Sequence, residues 1–116
     1  MPHLRLDVSS NIAETGHLDA ILERLVTRLC EFETVTPKAV KAYSQVRTVW
    51  VMGEGARPGF IHLELAVLTG RNPELLTKMA DSFYALLQEL FEESIQSDLA
   101  AVTFELREMN ADYYRK

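Results

Sequence analysis

At 116 residues, with 47% hydrophobic and 25% charged side chains, the chain has the size and make-up of one soluble domain with a modest core. A net charge of −5 excludes non-specific nucleic-acid binding, which needs a basic surface, and a single cysteine, Cys30, excludes an internal disulfide or a CxxC metal or redox site. No apolar run approaches the roughly 18 residues of a membrane span, and no cationic-then-apolar start marks a signal peptide, so the expected location is cytoplasmic.

The chain opens Met1-Pro2-His3, and Leu4 to Val8 then alternates apolar and polar residues as a strand does. Leu18, Ile21, Leu22, Leu25, Val26 and Leu29 recur at the spacing of one helix face, with Glu23, Arg24, Thr27 and Arg28 opposite. Residues 40–51 alternate again. Val40, Ala42, Ser44, Val46, Thr48 and Trp50 take one face, while Lys41, Tyr43, Gln45, Arg47 and Val49 take the other. A turn-rich stretch, Met52 to Gly59, leads to a third strand over Ile61 to Leu68. Asn72 as N-cap, Pro73 at the first helical position and Glu74 in the first turn start a second helix, whose apolar stripe carries it to about Glu93. Leu99 to Arg107 is the last strand.

The two halves repeat. His3-Leu4-Arg5-Leu6-Asp7-Val8 and His62-Leu63-Glu64-Leu65-Ala66-Val67 share the pattern H-L-x-L-x-V at an offset of 59 residues, and the same offset carries Val40 to Leu99. The expected fold is therefore α+β, a single domain over residues 1–116. Two β-α-β repeats, about 2–51 and 60–109, form a four-stranded mixed sheet with two helices on one face. The other face is left for another subunit to cover.

Pro2 carries the most distinctive chemistry. Once Met1 is removed it has a secondary amine, and a free α-amine titrates near pH ~7.7–8. An apolar, cation-lined setting lowers that further, which makes a usable general base near pH 7. A proton-transfer site also needs groups that polarise an anionic or carbonyl substrate, and the cationic candidates are Lys41, Arg47, Arg57 and Arg71. Lys41 and Arg47 share a strand face with Tyr43 and Gln45; such a face is either part of a site or a solvated or subunit-facing surface. Arg71 precedes the second helix, placed to clamp a carboxylate or simply to sit at the surface. His3 and His62 occupy matched strand positions without a third ligand at a sensible spacing, so they read as structural histidines and no metal site is expected. No nucleophile elbow, P-loop or dinucleotide fingerprint is present.

Pro2-His3 with Ser10-Asn11-Ile12, the run Val46-Arg47-Thr48-Val49-Trp50-Val51-Met52-Gly53-Glu54-Gly55, Phe60-Ile61-His62-Leu63 with Gly70-Arg71, and Thr103-Phe104-Glu105-Leu106-Arg107-Glu108-Met109 together resemble the 5-carboxymethyl-2-hydroxymuconate isomerase family of the tautomerase superfamily. The resemblance implies a homotrimer with sites near subunit boundaries and no cofactor. It implies an amino-terminal proline that moves a proton between carbons of an unsaturated 2-hydroxy or 2-oxo dicarboxylate, in aromatic catabolism by meta-cleavage of homoprotocatechuate. Carried over, Pro2 is the base and then the acid, and Arg71 matches an arginine that binds substrate carboxylate. A second family arginine falls at Lys41, which keeps the charge but loses the planar two-point grip, with Arg47 on the same face to compensate. The family's C-terminal tail extends beyond the position of Lys116 and contributes to subunit contacts, so altered trimer packing is expected. The rival expectation is a trimer of this fold that has lost turnover and serves as a binding or structural protein.

Overall fold

The structure, a computed structural model, describes residues 2–116. Strand β1 spans His3–Ser9, helix α1 Leu18–Cys30 after a 3-10 turn at Thr15–His17, and β2 Lys41–Arg47 after another at Pro37–Ala39. Strand β3 spans Gly59–Leu68, helix α2 Pro73–Leu90, helix α3 Glu92–Gln96, and β4 Ala100–Met109. The sheet order is β2-β1-β3-β4, with β1–β2 and β3–β4 parallel and the central β1–β3 pair antiparallel. Each parallel pair is joined through a helix, as parallel neighbours require.

Strand alternation sorts the sheet into two faces. Leu4, Leu6 and Val8 of β1 and Ile61, Leu63, Leu65 and Val67 of β3 are all fully buried at 0% exposure. They pack in one cluster with Leu25 and Leu29 of α1 and Met79, Phe83 and Leu87 of α2. The opposite face carries the charges of the sheet. Along it Asp7 is gripped by Arg47 at 3.0 Å and Arg5 at 3.6 Å, while Glu64 meets Arg107 at 3.3 Å and Arg5 at 3.8 Å. A face that alternates charges this closely suits water or another polar surface, not a dry core.

Three expectations are corrected. The second strand stops at Arg47 instead of running to Val51. Strand β1 ends at Ser9, and Ser10 N donates to the Arg47 carbonyl at 2.9 Å, so beyond this point there is no neighbouring strand to extend the ladder. The chain turns away, Val49 and Val51 stand 89% and 93% exposed, and Trp50 Nε1 instead donates to the Pro58 carbonyl at 3.0 Å. Second, the late helix breaks at Phe91, and a short helix α3 follows. The buried Glu14 carboxylate holds it, accepting from Ser94 N at 3.2 Å and Ser94 Oγ at 2.5 Å. Third, the offset of 59 carries the start of β2, Lys41, to the start of β4, Ala100, but does not hold in the ladder register. His3 pairs with Lys41, 38 residues on, whereas His62 pairs with Thr103, 41 residues on. The longer second crossover moves the register counterpart of Val40 from Leu99 to Val102.

Gly59 opens β3 where the chain passes close to β1. A Cβ there would lie 2.6 Å from both Ser9 Oγ and Asn11 Oδ1. Ser9 Oγ is already committed, accepting from Phe60 N at 2.9 Å and donating to Phe60 O at 3.3 Å. Gly59→Ala must displace that pair, and the expected loss is about 1–3 kcal/mol. Thermal unfolding checks it: a midpoint within about 2 °C of wild type would show that the site relaxes freely, since ~1 kcal/mol moves a domain of this size by several degrees.

Candidate functional site

Pro2 is buried at the head of β1, and its carbonyl accepts from Lys41 N at 3.1 Å. That bond sets residue 2 against the start of β2, so the amine position is fixed by the sheet. Met1 lies outside the described residues, and with it the processing on which a free amine depends.

Lys41 pairs with His3 in the ladder, one step from Pro2. It is exposed and has no carboxylate partner among the described residues. Arg71 belongs to the same end of the sheet. Strand β3 runs antiparallel to β1, so its last residues, Val67 and Leu68, come alongside the head of β1. Gly70 then turns the chain at φ +121°, which is open to glycine and strained for other residues. Asn72 caps α2 by accepting from Leu75 N at 2.8 Å. Between these two fixed ends Arg71 donates from Nη1 to Leu68 O, from Nη2 to Thr34 O and from Nε to Thr34 Oγ1, each at 3.1 Å. These partners are all neutral, so the guanidinium charge is uncompensated among the described residues.

Arg47 is elsewhere. It pairs with Ser9 at the far end of β1, about 23 Å along the strand from Pro2 at ~3.3 Å per residue, and its guanidinium is spent on Asp7. Within one protomer Lys41 and Arg71 lie at the sheet end that carries Pro2, and Arg47 lies at the other end. Arg57 is also at the far end, donating to Ala100 O at 2.9 Å and paired with Asp98 at 3.2 Å. There it lines a surface hollow of about 460 Å³ with Met52, Phe60 and Thr103, which Pro2 does not line.

His3 and His62 share the open face but sit four residues apart in the β1–β3 ladder, since His3 faces Ala66 and Asp7 faces His62. His62 Nδ1 is 2.7 Å from Thr103 Oγ1, and no group of three or more metal-binding side chains occurs among the described residues. His3 Nε2 lies 3.0 Å from the hydroxyl of Tyr114. Burial, and then positive charges that include Lys41 and Arg107, hold the His3 imidazole below the ordinary histidine range. Sequence reasoning passed over both Tyr114 and Arg107. Tyr114 gives no local signal, being 111 residues from its partner.

The chemistry assembled here is a buried proline at residue 2, cations without carboxylate partners and an imidazole held below its ordinary range, which suits an anionic substrate. The family model for 5-carboxymethyl-2-hydroxymuconate isomerase matches residues 2–116. The chain belongs to the 5-carboxymethyl-2-hydroxymuconate isomerase family. A 5-carboxymethyl-2-hydroxymuconate Delta-isomerase of Escherichia coli is 22% identical over 111 residues, covering 95% of this chain and 88% of that protein. The crystal structure of a 5-carboxymethyl-2-hydroxymuconate isomerase from Deinococcus radiodurans R1 shares the fold at a TM-score of 0.89, with 21% identity over 99% of this chain and 87% of the other. A fused 4-OT wild-type symmetric trimer also shares it at a TM-score of 0.68, with 11% identity over 97% of this chain and 91% of that one. The tautomerase-type four-stranded mixed sheet with helices on one face is thus the fold of this member of the isomerase family. No helix among the described residues is long and apolar enough to cross a membrane.

Proposed function

We propose that this family member is a cofactor-independent isomerase that uses the Pro2 amine to shift a proton within a small unsaturated 2-hydroxy or 2-oxo dicarboxylate, working as a homotrimer. The reading rests on one observation: Pro2 is fixed at the sheet end that also carries the unpaired charges of Lys41 and Arg71. In the reaction the neutral amine takes a proton from the dienol substrate. Arg71 and Lys41 balance the charge of the resulting dienolate. The prolinium then returns the proton to a carbon of the dienolate, so the enol becomes a ketone, the carbon–carbon double bond moves and the amine is restored. The trimer is supported by the charged sheet face opposite the helices and by the symmetric trimer among the structures that share the fold.

A second reading has one observation behind it. All three nitrogens of Arg71 are already engaged by the protein, as in a residue kept for structure, and a binding or structural trimer without turnover would use it so. Intact mass of the native protein together with turnover of a dienol diacid such as 2-hydroxymuconate separates the two. Loss of Met1 with turnover is the expected result. Met1 retained, which makes Pro2 a non-basic amide, or Met1 lost with no turnover, overturns the proline mechanism.

A further inference from the structure

The register seats His3 on the open face with Lys41 on one side, and Ala66 and then Arg107 on the other. Ala66, between His3 and Arg107 in this row, is 1% exposed, so the row is covered near its centre. The C-terminal segment reaches this row. Ala111 N donates to Thr69 Oγ1 at 3.4 Å and Tyr113 N to Asn110 O at 3.2 Å as the chain turns back after β4. Tyr114 then meets His3 edge to face, with ring centroids 6.0 Å apart at 71° and its hydroxyl 3.0 Å from Nε2.

We propose that His3 is a further substrate-contacting residue, donating a hydrogen bond to the diacid carboxylate whose charge Lys41 balances, and that Tyr114 is its positioning residue. The inference rests on the diacid reading above. A phenol that donates to Nε2 leaves the imidazole proton on Nδ1, so the ring offers an anion a donor and not a lone pair. Burial first, and then the nearby positive charges, favour the neutral ring, and the Tyr114 hydroxyl 3.0 Å from Nε2 is placed to hold the ring's proton on Nδ1. Lysine holds a carboxylate as a point charge, without the planar two-point grip of arginine. The His3 N–H supplies the second, directional contact that Lys41 lacks.

Direct binding tests this without turnover. Adipate, a saturated dicarboxylate, and hexanoate, a monocarboxylate of the same length, are titrated calorimetrically into the full chain. Wild type is expected to prefer adipate at least tenfold. Tyr114→Phe and His3→Phe should each weaken adipate by about 10- to 100-fold and leave hexanoate within about twofold. His3→Asn, which keeps an N–H donor, should recover part of the loss. A purely structural role moves both ligands together, so a parallel change in adipate and hexanoate overturns the proposal. Unchanged adipate affinity in Tyr114→Phe, or a wild type without preference for adipate, overturns it as well. Should His3→Phe fail to fold, Tyr114→Phe, which removes a single oxygen, carries the comparison. A wild type that binds adipate through His3 and isomerises no dienol diacid overturns the proposed reaction while leaving this contact standing.

Discussion

Pro2→Ala is expected to lower kcat on a dienol diacid by about 100- to 10,000-fold, the range that a positioned general base contributes. The substitution leaves a primary amine in place of the cyclic secondary one and lets the terminal nitrogen rotate. Its effect on the fold should be small, because the bond that fixes residue 2 is made by its carbonyl to Lys41 N, and alanine has the same carbonyl. The thermal midpoint is therefore expected to move by no more than a few degrees while turnover collapses. A chain that keeps Met1 gives a second version of the same test. Its Pro2 nitrogen is an amide, and it should be as inactive as Pro2→Ala with the fold intact. Full turnover in either protein would remove Pro2 from the mechanism.

The parts of this molecule that were legible in the sequence are those set by local chemistry. Asn72-Pro73-Glu74 announced the start of α2, and the cap is made as read, through Leu75 N. Alternation in β1 and β3 put Leu4, Leu6, Leu63 and Leu65 in the core, where they are fully buried. The same alternation continues past Arg47 to Val51, but a ladder needs a partner, and β1 ends at Ser9. Strand length here is a property of the neighbour, so no pattern within residues 40–51 could reveal it. Arg47 shows the same limit from another side. Strand period told which face it shares with Lys41 and said nothing about which end of the sheet holds Pro2. Register places Lys41 one step from Pro2 and Arg47 at the opposite end, committed to Asp7. Tyr114 was illegible for a third reason: its contact with His3 depends on how the C-terminal segment folds back, and a lone tyrosine carries no period to read.

Arg71→Lys is expected to raise KM for a dicarboxylate by about 10- to 100-fold, from loss of a charge-assisted two-point contact of roughly 1.5–3 kcal/mol, with a smaller effect on a monocarboxylate enol. The hydrogen-bond inventory of the side chain gives the reason. A guanidinium has five N–H donors: one on Nε and two on each terminal nitrogen. Bonds to Thr34 Oγ1, Leu68 O and Thr34 O use one on each nitrogen. One N–H on Nη1 and one on Nη2 are left, enough donors for the two oxygens of a carboxylate. The contacts that make Arg71 look structural are therefore the contacts that would orient its free edge. Lysine keeps the charge but has no rigid fork to hold against Leu68 and Thr34 while presenting two donors outward. Thr34→Val separates orientation from charge, since it removes the acceptor for Nε and leaves the Thr34 backbone carbonyl in place. It should raise KM several-fold with kcat nearly unchanged. If Arg71→Lys and Thr34→Val lower the thermal midpoint but leave KM for the diacid at the wild-type value, Arg71 is a loop anchor and the substrate carboxylate is held by other groups.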